Sequence, residues 1–204
     1  MTKLAERLWQ CRRDGGNVEV AKNEAPKTLE EALVIQRAAV ECSGMASVGF
    51  KVGSTSAEAQ RVLKTTEPGA SPVLSGFFHT NPATIPIDPA HGPAVEGEFA
   101  LRIGQDIPPR DQEYSFQEVF DTIDGVAAAV EVVGSRLAGG LVGKGRLLTT
   151  MDFGANIALA IGNVVTDWKG FDLAAQEVKL SVNGELREEG TGARALGHPI
   201  NVLQ

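Results

Sequence analysis

The chain has 204 residues, 43% of them hydrophobic, enough for a sizeable core within one large domain. Nineteen Lys and Arg against 26 Asp and Glu give a net charge of −7, and no basic cluster tracks a phosphate backbone, which argues against a nucleic-acid partner. No apolar run approaches the roughly 20 residues of a bilayer span, and Lys3, Glu6 and Arg7 stand where a signal peptide would be apolar, so neither membrane insertion nor export is expected, and the cytoplasm is.

In chain order, helix formers from Thr2 to Arg13 meet no breaker until Asp14-Gly15-Gly16, where the first helix is expected to end. Thr28 and Glu31 have the spacing of a capping box for a second helix that runs to about Cys42. VGFKVG, Val48 to Gly53, has strand composition between glycines. Thr55 with Glu58 repeats the capping spacing for a short helix ending near Lys64. The Gly-, Pro- and Ser-rich stretch from Glu67 to His79 reads as a surface loop that folds over a site. Ala83 to Ile87 reads as an edge strand, because Pro86 has no donor for an inner ladder.

Val95 to Ile103 is a further strand, followed by a turn at Pro108-Pro109. Ser115 with Glu118 caps a third short helix, and Val126 to Val133 forms an apolar strand. Ala138 to Gly145, with its glycines, reads as a flexible connector. Ile157 to Val165 is strand-like, and Asn183-Gly184 between Val178–Val182 and Glu185–Arg187 predicts a hairpin with a primed turn. Cys11 and Cys42, both on expected helices, have neither zinc-site spacing nor disulfide density and read as buried or half-buried thiols. The sum is an α+β chain with a mainly β core, divided into an N-terminal helical segment, residues 1–46, and a β-rich domain, residues 47–204.

Within VEGEFALRIG, Val95 to Gly104, side chains alternate between faces, so Glu96 and Glu98 project the same way and repel. Glu131 lies among Ala and Val, where an unpaired carboxylate would cost several kcal/mol if buried. Taken singly, Glu96 and Glu98 fit an exposed strand face with a Lys or Arg across the ladder, and Glu131 fits the wet face of an edge strand, paired with Arg136 or a Lys. Taken together, two carboxylates from one strand and one from a later strand suit a hard divalent cation, which removes the repulsion.

Five segments, GFKVGSTS (Gly49 to Ser56), VEGEFALRIG, AAAVEVVGSR (Ala127 to Arg136), DFGANIALAIG (Asp152 to Gly162) and VNGELREEGTGARALGHPINVL (Val182 to Leu203), occur in the order in which they resemble the fumarylacetoacetate hydrolase superfamily. The nearest branch is that of 2-keto-4-pentenoate hydratases and 4-oxalocrotonate decarboxylases. The resemblance implies a mixed β-roll with peripheral helices, residues 47–204 being the catalytic domain. It also implies Mg²⁺ or Mn²⁺ held by Glu96, Glu98 and Glu131, chelating the carboxylate and keto oxygen of an unsaturated 2-keto acid. Lys51 matches the lysine of the family's G-[FY]-K-[IV]-G motif, with a role in proton transfer or in electrostatic support of the enolate. His198 and Gly197 fall in its L-G-H-P-x-N motif, together with Asn201, as supporting residues, His198 being the second candidate for catalysis. Asp152, Asn156, Ser135 and Arg136 match positions around the substrate.

Departures accompany the match. Phe77 stands where hydratases of this branch carry an acid, with His79 the nearest proton carrier, and Phe153, Ala155 and Asn156 alter the pattern after Asp152. Gly134 replaces an acid before Ser135-Arg136. Family members continue past Leu203 with a helix and a closing strand, so a C-terminal truncation is expected; in a natural fragment, either partner chains cover the open sheet edge or the protein is unstable. The resemblance implies a hydratase, with a decarboxylase, an acylpyruvate hydrolase-like enzyme or a non-catalytic keto-acid-binding subunit as alternatives. It implies assembly as a homo-oligomer or with a related subunit.

Overall fold

A computed structural model describes residues 2–204. Helix α1, Thr2–Asp14, buries Leu4, Ala5, Leu8 and Trp9, a stripe at helical spacing. It meets Ala32, Ile35 and Ala39 of α2, Leu29–Ser43, in one apolar cluster. Each large aliphatic side chain buried in this way stabilises by about 1.5–3 kcal/mol. The Thr28 hydroxyl caps α2 by accepting from Glu31 N, as its spacing predicts. The Glu31 carboxylate reaches one residue further back than a capping box requires, accepting from Lys27 N at 2.6 Å. Gly44, in the left-handed region at φ 64°, ends the helix.

Strand β1, Ser47–Gly53, follows as expected, but its partner lies where a loop is predicted. β2, Gly69–Leu74, pairs antiparallel with β1 and sets Pro72 opposite Phe50. In a two-stranded ribbon every strand is an edge, so a missing N–H is tolerated, and the Gly-Pro-Ser composition hides the strand. Helix α3, Ala57–Leu63, is capped by Ser56, which accepts from Ala59 N, not by Thr55. The strand expected at residues 83–87 is absent from the described structure: that segment is irregular, with Pro82, Pro86 and Pro89 withholding donors.

A four-stranded sheet has the order β3-β6-β5-β4, made of Phe78–Thr80, Asn156–Ile161, Ile123–Val133 and Ala94–Ile103. β5 is therefore an inner strand, flanked by β6 and β4. Residues 138–144 are turns and bends, as a connector requires, and a helix not expected from the sequence, α5, Gly145–Met151, follows them. β7, Glu177–Val182, and β8, Glu185–Thr191, form the predicted hairpin, with Asn183 and Gly184 at φ 54° and 82° in a primed turn. Cys11 is half-buried as expected, and burial raises its thiol pKa, whereas Cys42 is exposed on α2.

The chain forms two compact units, one from Met1–His79, Ala83–Val95 and Glu131–Leu159, the other from Thr80–Pro82, Glu96–Val130 and Ala160–Gln204. The first has its core in the α1–α2 cluster, joined by Leu74, Leu137, Met151 and Phe153. The second is centred on Val119, Ile123, Val126, Trp168, Leu173 and Ile200.

In the second unit, α4, Phe116–Thr122, carries a complete capping box between Ser115 and Glu118, and Arg110 grips the Glu118 carboxylate with two nitrogens at 2.8 Å. Arg110, followed by the Ser115 backbone, lowers the Glu118 pKa from the usual 4.5 to about 2. A depressed acid stabilises the fold above its unfolded pKa and loses that contribution as pH falls through the folded value. The stability difference between the wild type and Glu118→Gln is therefore expected to be full above pH 4.5 and to vanish near pH 2, measured by urea unfolding along that range. Ser115→Ala is expected to cost about 1 kcal/mol in the same assay at neutral pH.

Candidate metal centre

Alternation along β4 sends Glu96 and Glu98 to one side, and the neighbouring strand β5 carries Glu131. One carboxylate oxygen from each of the three lies within 4.8 Å of the others, the single group of this kind among the described residues. Glu96 is exposed, Glu98 half-buried and Glu131 only 3% exposed. Glu131 is thus neither on an edge strand nor on a wet face, and its cationic partner is Lys51 instead of Arg136.

Lys51 Nζ stands 3.3 Å from Glu131 Oε2, the lysine side chain being 10% and the glutamate side chain 4% exposed. The Lys51 side chain passes two glycines: a Cβ on Gly53 would come within 3.2 Å of Nζ, and one on Gly154 within 3.7 Å of Cδ. Gly154 also has φ 62°, and a Cβ there would collide with the Ser71 hydroxyl.

Asn156, at the start of β6, donates Nδ2–H to Glu131 Oε1 at 2.9 Å. Its position follows a turn in which Phe153, Gly154 and Ala155 all have left-handed φ values of 54°, 62° and 66°. For the two non-glycine residues that conformation costs about 1–2 kcal/mol each, so surrounding contacts must hold it.

Asp152 supplies those contacts. Its Oδ2 accepts from Ser135 Oγ and Arg136 N, both at 2.9 Å, and its Oδ1 accepts from Arg136 Nε at 2.6 Å. Arg136 Nη1 donates to the Asn156 carbonyl at 2.8 Å. Asp152, Ser135 and Arg136 have no exposed surface and saturate one another. The structure brings Lys51, Glu131, Asn156, Asp152, Ser135 and Arg136 into one polar network, in which the Asp152 trio is linked to Glu131 through Asn156.

Gly197 and His198 belong to a different environment. Gly197 has φ 82°, His198 Nδ1 accepts from Ile200 N at 3.2 Å, and its ring meets Phe116 edge-on at 5.0 Å. Asn201 donates to the Leu196 carbonyl, closing the same turn. Among the described residues, no histidine joins the carboxylate group.

Sequence reasoning missed Arg12. Its guanidinium lies between the rings of Phe77 and Phe153, 4.3 and 4.4 Å from their centroids, and Nη2 donates to Asn156 Oδ1 at 2.8 Å and to the Ile157 carbonyl at 3.2 Å. Burial, then the like charge of Arg136, pulls its pKa well below the usual arginine value. A signal was present: Arg12 is four residues beyond Leu8, on the stripe that α1 buries. Phe77, standing where an acid is expected, is thus one wall of an arginine site and also packs edge-on against Trp9.

The donor set suits a small hard divalent cation. Three carboxylates from two neighbouring strands offer only oxygen, the donor that a hard divalent ion prefers. Glu98 also borders a cavity of about 520 Å³ with apolar walls that include Phe99, Phe171, Leu173 and Val178.

Residues 50–204 match the family model described as fumarylacetoacetate (FAA) hydrolase C-terminal. A 2-keto-4-pentenoate hydratase of Paraburkholderia xenovorans is 29% identical over 98% of this chain and 75% of its own length. A 2-keto-4-pentenoate hydratase of Pseudomonas putida has the same identity and coverage. Among solved structures, 4-oxalocrotonate decarboxylase from Pseudomonas putida G7, complexed with magnesium and adipate, superposes with a TM-score of 0.83 at 23% identity, over 98% of this chain and 76% of that one. The backbone therefore has the α+β architecture that the sequence motifs imply.

Proposed function

The chain belongs to the fumarylacetoacetate hydrolase family, and on that premise we propose that it is a divalent-metal-dependent lyase that hydrates an unsaturated 2-keto acid of the 2-hydroxypenta-2,4-dienoate type. The observation that carries this reading is the convergence of Glu96, Glu98 and Glu131, with Lys51 paired to the buried member. Hydration is preferred to decarboxylation because relatives that match along almost the whole chain are named hydratases.

Glu96, Glu98 and Glu131 would hold Mg²⁺ or Mn²⁺. When bound, such an ion supplies Lewis-acid stabilisation of the negative charge that develops on a keto oxygen. Asn156 holds the Glu131 carboxylate in one orientation through Oε1, leaving Oε2 to Lys51. Lys51 carries a proton at Nζ within reach of this carboxylate, and we assign it the proton shuttle between keto acid and dienol. Asp152, Ser135 and Arg136 act as the rigid support of Asn156 instead of touching substrate, because their polar atoms are spent on one another. His198, Gly197 and Asn201 shape their own turn. The apolar cavity beside Glu98 is large enough for the hydrocarbon part of a small keto acid. A cytoplasmic setting and assembly with further copies or a related subunit complete the proposal.

The test is direct. Chain stripped by chelator and then supplied with Mg²⁺ or Mn²⁺ is expected to consume 2-hydroxypenta-2,4-dienoate, followed by loss of the dienol ultraviolet absorbance. Release of carbon dioxide from 4-oxalocrotonate with no hydration would move the assignment to a decarboxylase, and metal-induced thermal stabilisation without turnover of either compound would make the chain a binding subunit. Lys51→Met is expected to slow turnover by about 10²-fold or more while leaving Mn²⁺ binding intact, since it removes a proton carrier and a competing cation. Parallel loss of Mn²⁺ affinity in that variant would argue against the assigned role.

A further inference from the structure

We infer that Arg12 of the N-terminal helix is a positioning residue for Glu131, acting through the Asn156 carboxamide; the inference rests on the reading that Glu131 holds the divalent ion. Three contacts carry it. Arg12 Nη2 donates to Asn156 Oδ1 at 2.8 Å, Asn156 Nδ2 donates to Glu131 Oε1 at 2.9 Å, and the guanidinium carbon lies over the rings of Phe77 and Phe153, 4.3 and 4.4 Å from their centroids.

The direction of the relay follows from donor inventory. A guanidinium has only N–H donors, so it accepts no other carboxamide atom than the oxygen. With Oδ1 occupied, the amide nitrogen must face the carboxylate. Glu131, which only accepts, selects the same end, so the carboxamide is pinned from both sides; without Arg12 its oxygen loses a donor and the side chain is held by Glu131 alone. Arg12 thus fixes the position from which Asn156 Nδ2 meets Glu131.

A packing role alone does not account for the residue. Arg12 is 7% exposed, and its Nε and Nη1 have no hydrogen-bond partner among the described residues. An apolar side chain of similar volume would fill the space between two phenyl rings without burying a charge. The cation is also attracted to Asp152 and to Glu131, which opposes its own desolvation. Outer partners of metal ligands typically change affinity 10- to 100-fold when removed, because they set ligand orientation.

The experiment measures Mn²⁺ affinity by calorimetry on the full chain, with thermal unfolding recorded for every variant. Arg12→Met and Asn156→Leu are each expected to weaken Mn²⁺ binding about 10-fold or more. The double variant is expected to be no weaker than Asn156→Leu alone, since both act on one link. Arg12→Lys, which still donates to Oδ1, is expected to recover most of the affinity. A folded Arg12→Met chain with wild-type affinity, or losses that add in the double variant, would overturn the inference. Should Arg12→Met fail to fold, Arg12→Lys and Asn156→Leu decide, and wild-type affinity in Asn156→Leu overturns it. Glu131→Gln separates the two levels: if it binds Mn²⁺ as the wild type does, the metal reading itself falls, whereas its loss of binding with intact Arg12 and Asn156 variants removes only the relay.

Discussion

Glu131→Gln is expected to abolish measurable Mn²⁺ binding and to lower turnover of the dienol by about 10³-fold or more. The substitution is nearly isosteric, so Asn156 Nδ2 still finds an oxygen acceptor and the sheet is undisturbed. What changes is charge. Glu131 is the buried member of the trio, and its oxygen meets those of Glu96 and Glu98 within 4.8 Å. A buried carboxylate binds a cation more strongly than an exposed one, because water screens it less. Lewis-acid stabilisation of a developing enolate is worth several kcal/mol, and each 1.4 kcal/mol is about a factor of ten in rate. The variant also leaves the Lys51 ammonium without its anionic partner at 3.3 Å, so restoring metal at high concentration is not expected to restore the rate in full. Calorimetry with Mn²⁺ and dienol absorbance at saturating Mg²⁺ test both parts. A variant that binds Mn²⁺ within threefold of the wild type would remove the glutamate trio as the metal centre.

Asp152→Ala is expected to destabilise the fold by about 3–5 kcal/mol, the usual cost of leaving one member of a buried ion pair without the other. Arg136 has no exposed surface, and its Nε has Asp152 as its acceptor. Ser135 Oγ and Arg136 N would lose the same partner. The left-handed turn at residues 153–155 adds to the effect, because the contacts that hold it run through Asp152 and through Arg136 to the Asn156 carbonyl. Against a typical total of about 5–15 kcal/mol, such a loss consumes a large share of the stability. Urea unfolding is the measurement: the midpoint should fall while the slope is unchanged. A loss below about 1 kcal/mol would show that the turn is held elsewhere. Losses from Asp152→Ala and Arg136→Met should be strongly non-additive, as both break one network.

Helix caps and hairpin chemistry were legible because they are local. Thr28, Ser115 and Asn183-Gly184 act on backbone groups within a few residues, and composition there maps directly onto geometry. The glutamate pair on β4 was equally legible, since alternation along a strand is a property of the chain alone. β2 and α5 were not. Gly, Ser and Pro lower strand propensity in β2, one Gly and two β-branched Thr lower helix propensity in α5, and packing overrides weak local preference: Val73 and Leu74 are buried in β2, and Thr149 and Met151 in α5. The irregular course of residues 83–87 shows the converse, in which three prolines outweighed an apolar pattern.

By itself the sequence determined which residues carry charge into apolar surroundings, and therefore that Glu131 needed a partner. Only the tertiary structure decided which one: Lys51, 80 positions earlier, and not the nearby Arg136, which is committed to Asp152. It also placed Arg12 from the first helix against Asn156, 144 positions away. Hydrogen bonds and ion pairs act through a few ångströms of space irrespective of separation along the chain, so a buried polar network comes into existence only once the strands and helices that bear its members have packed.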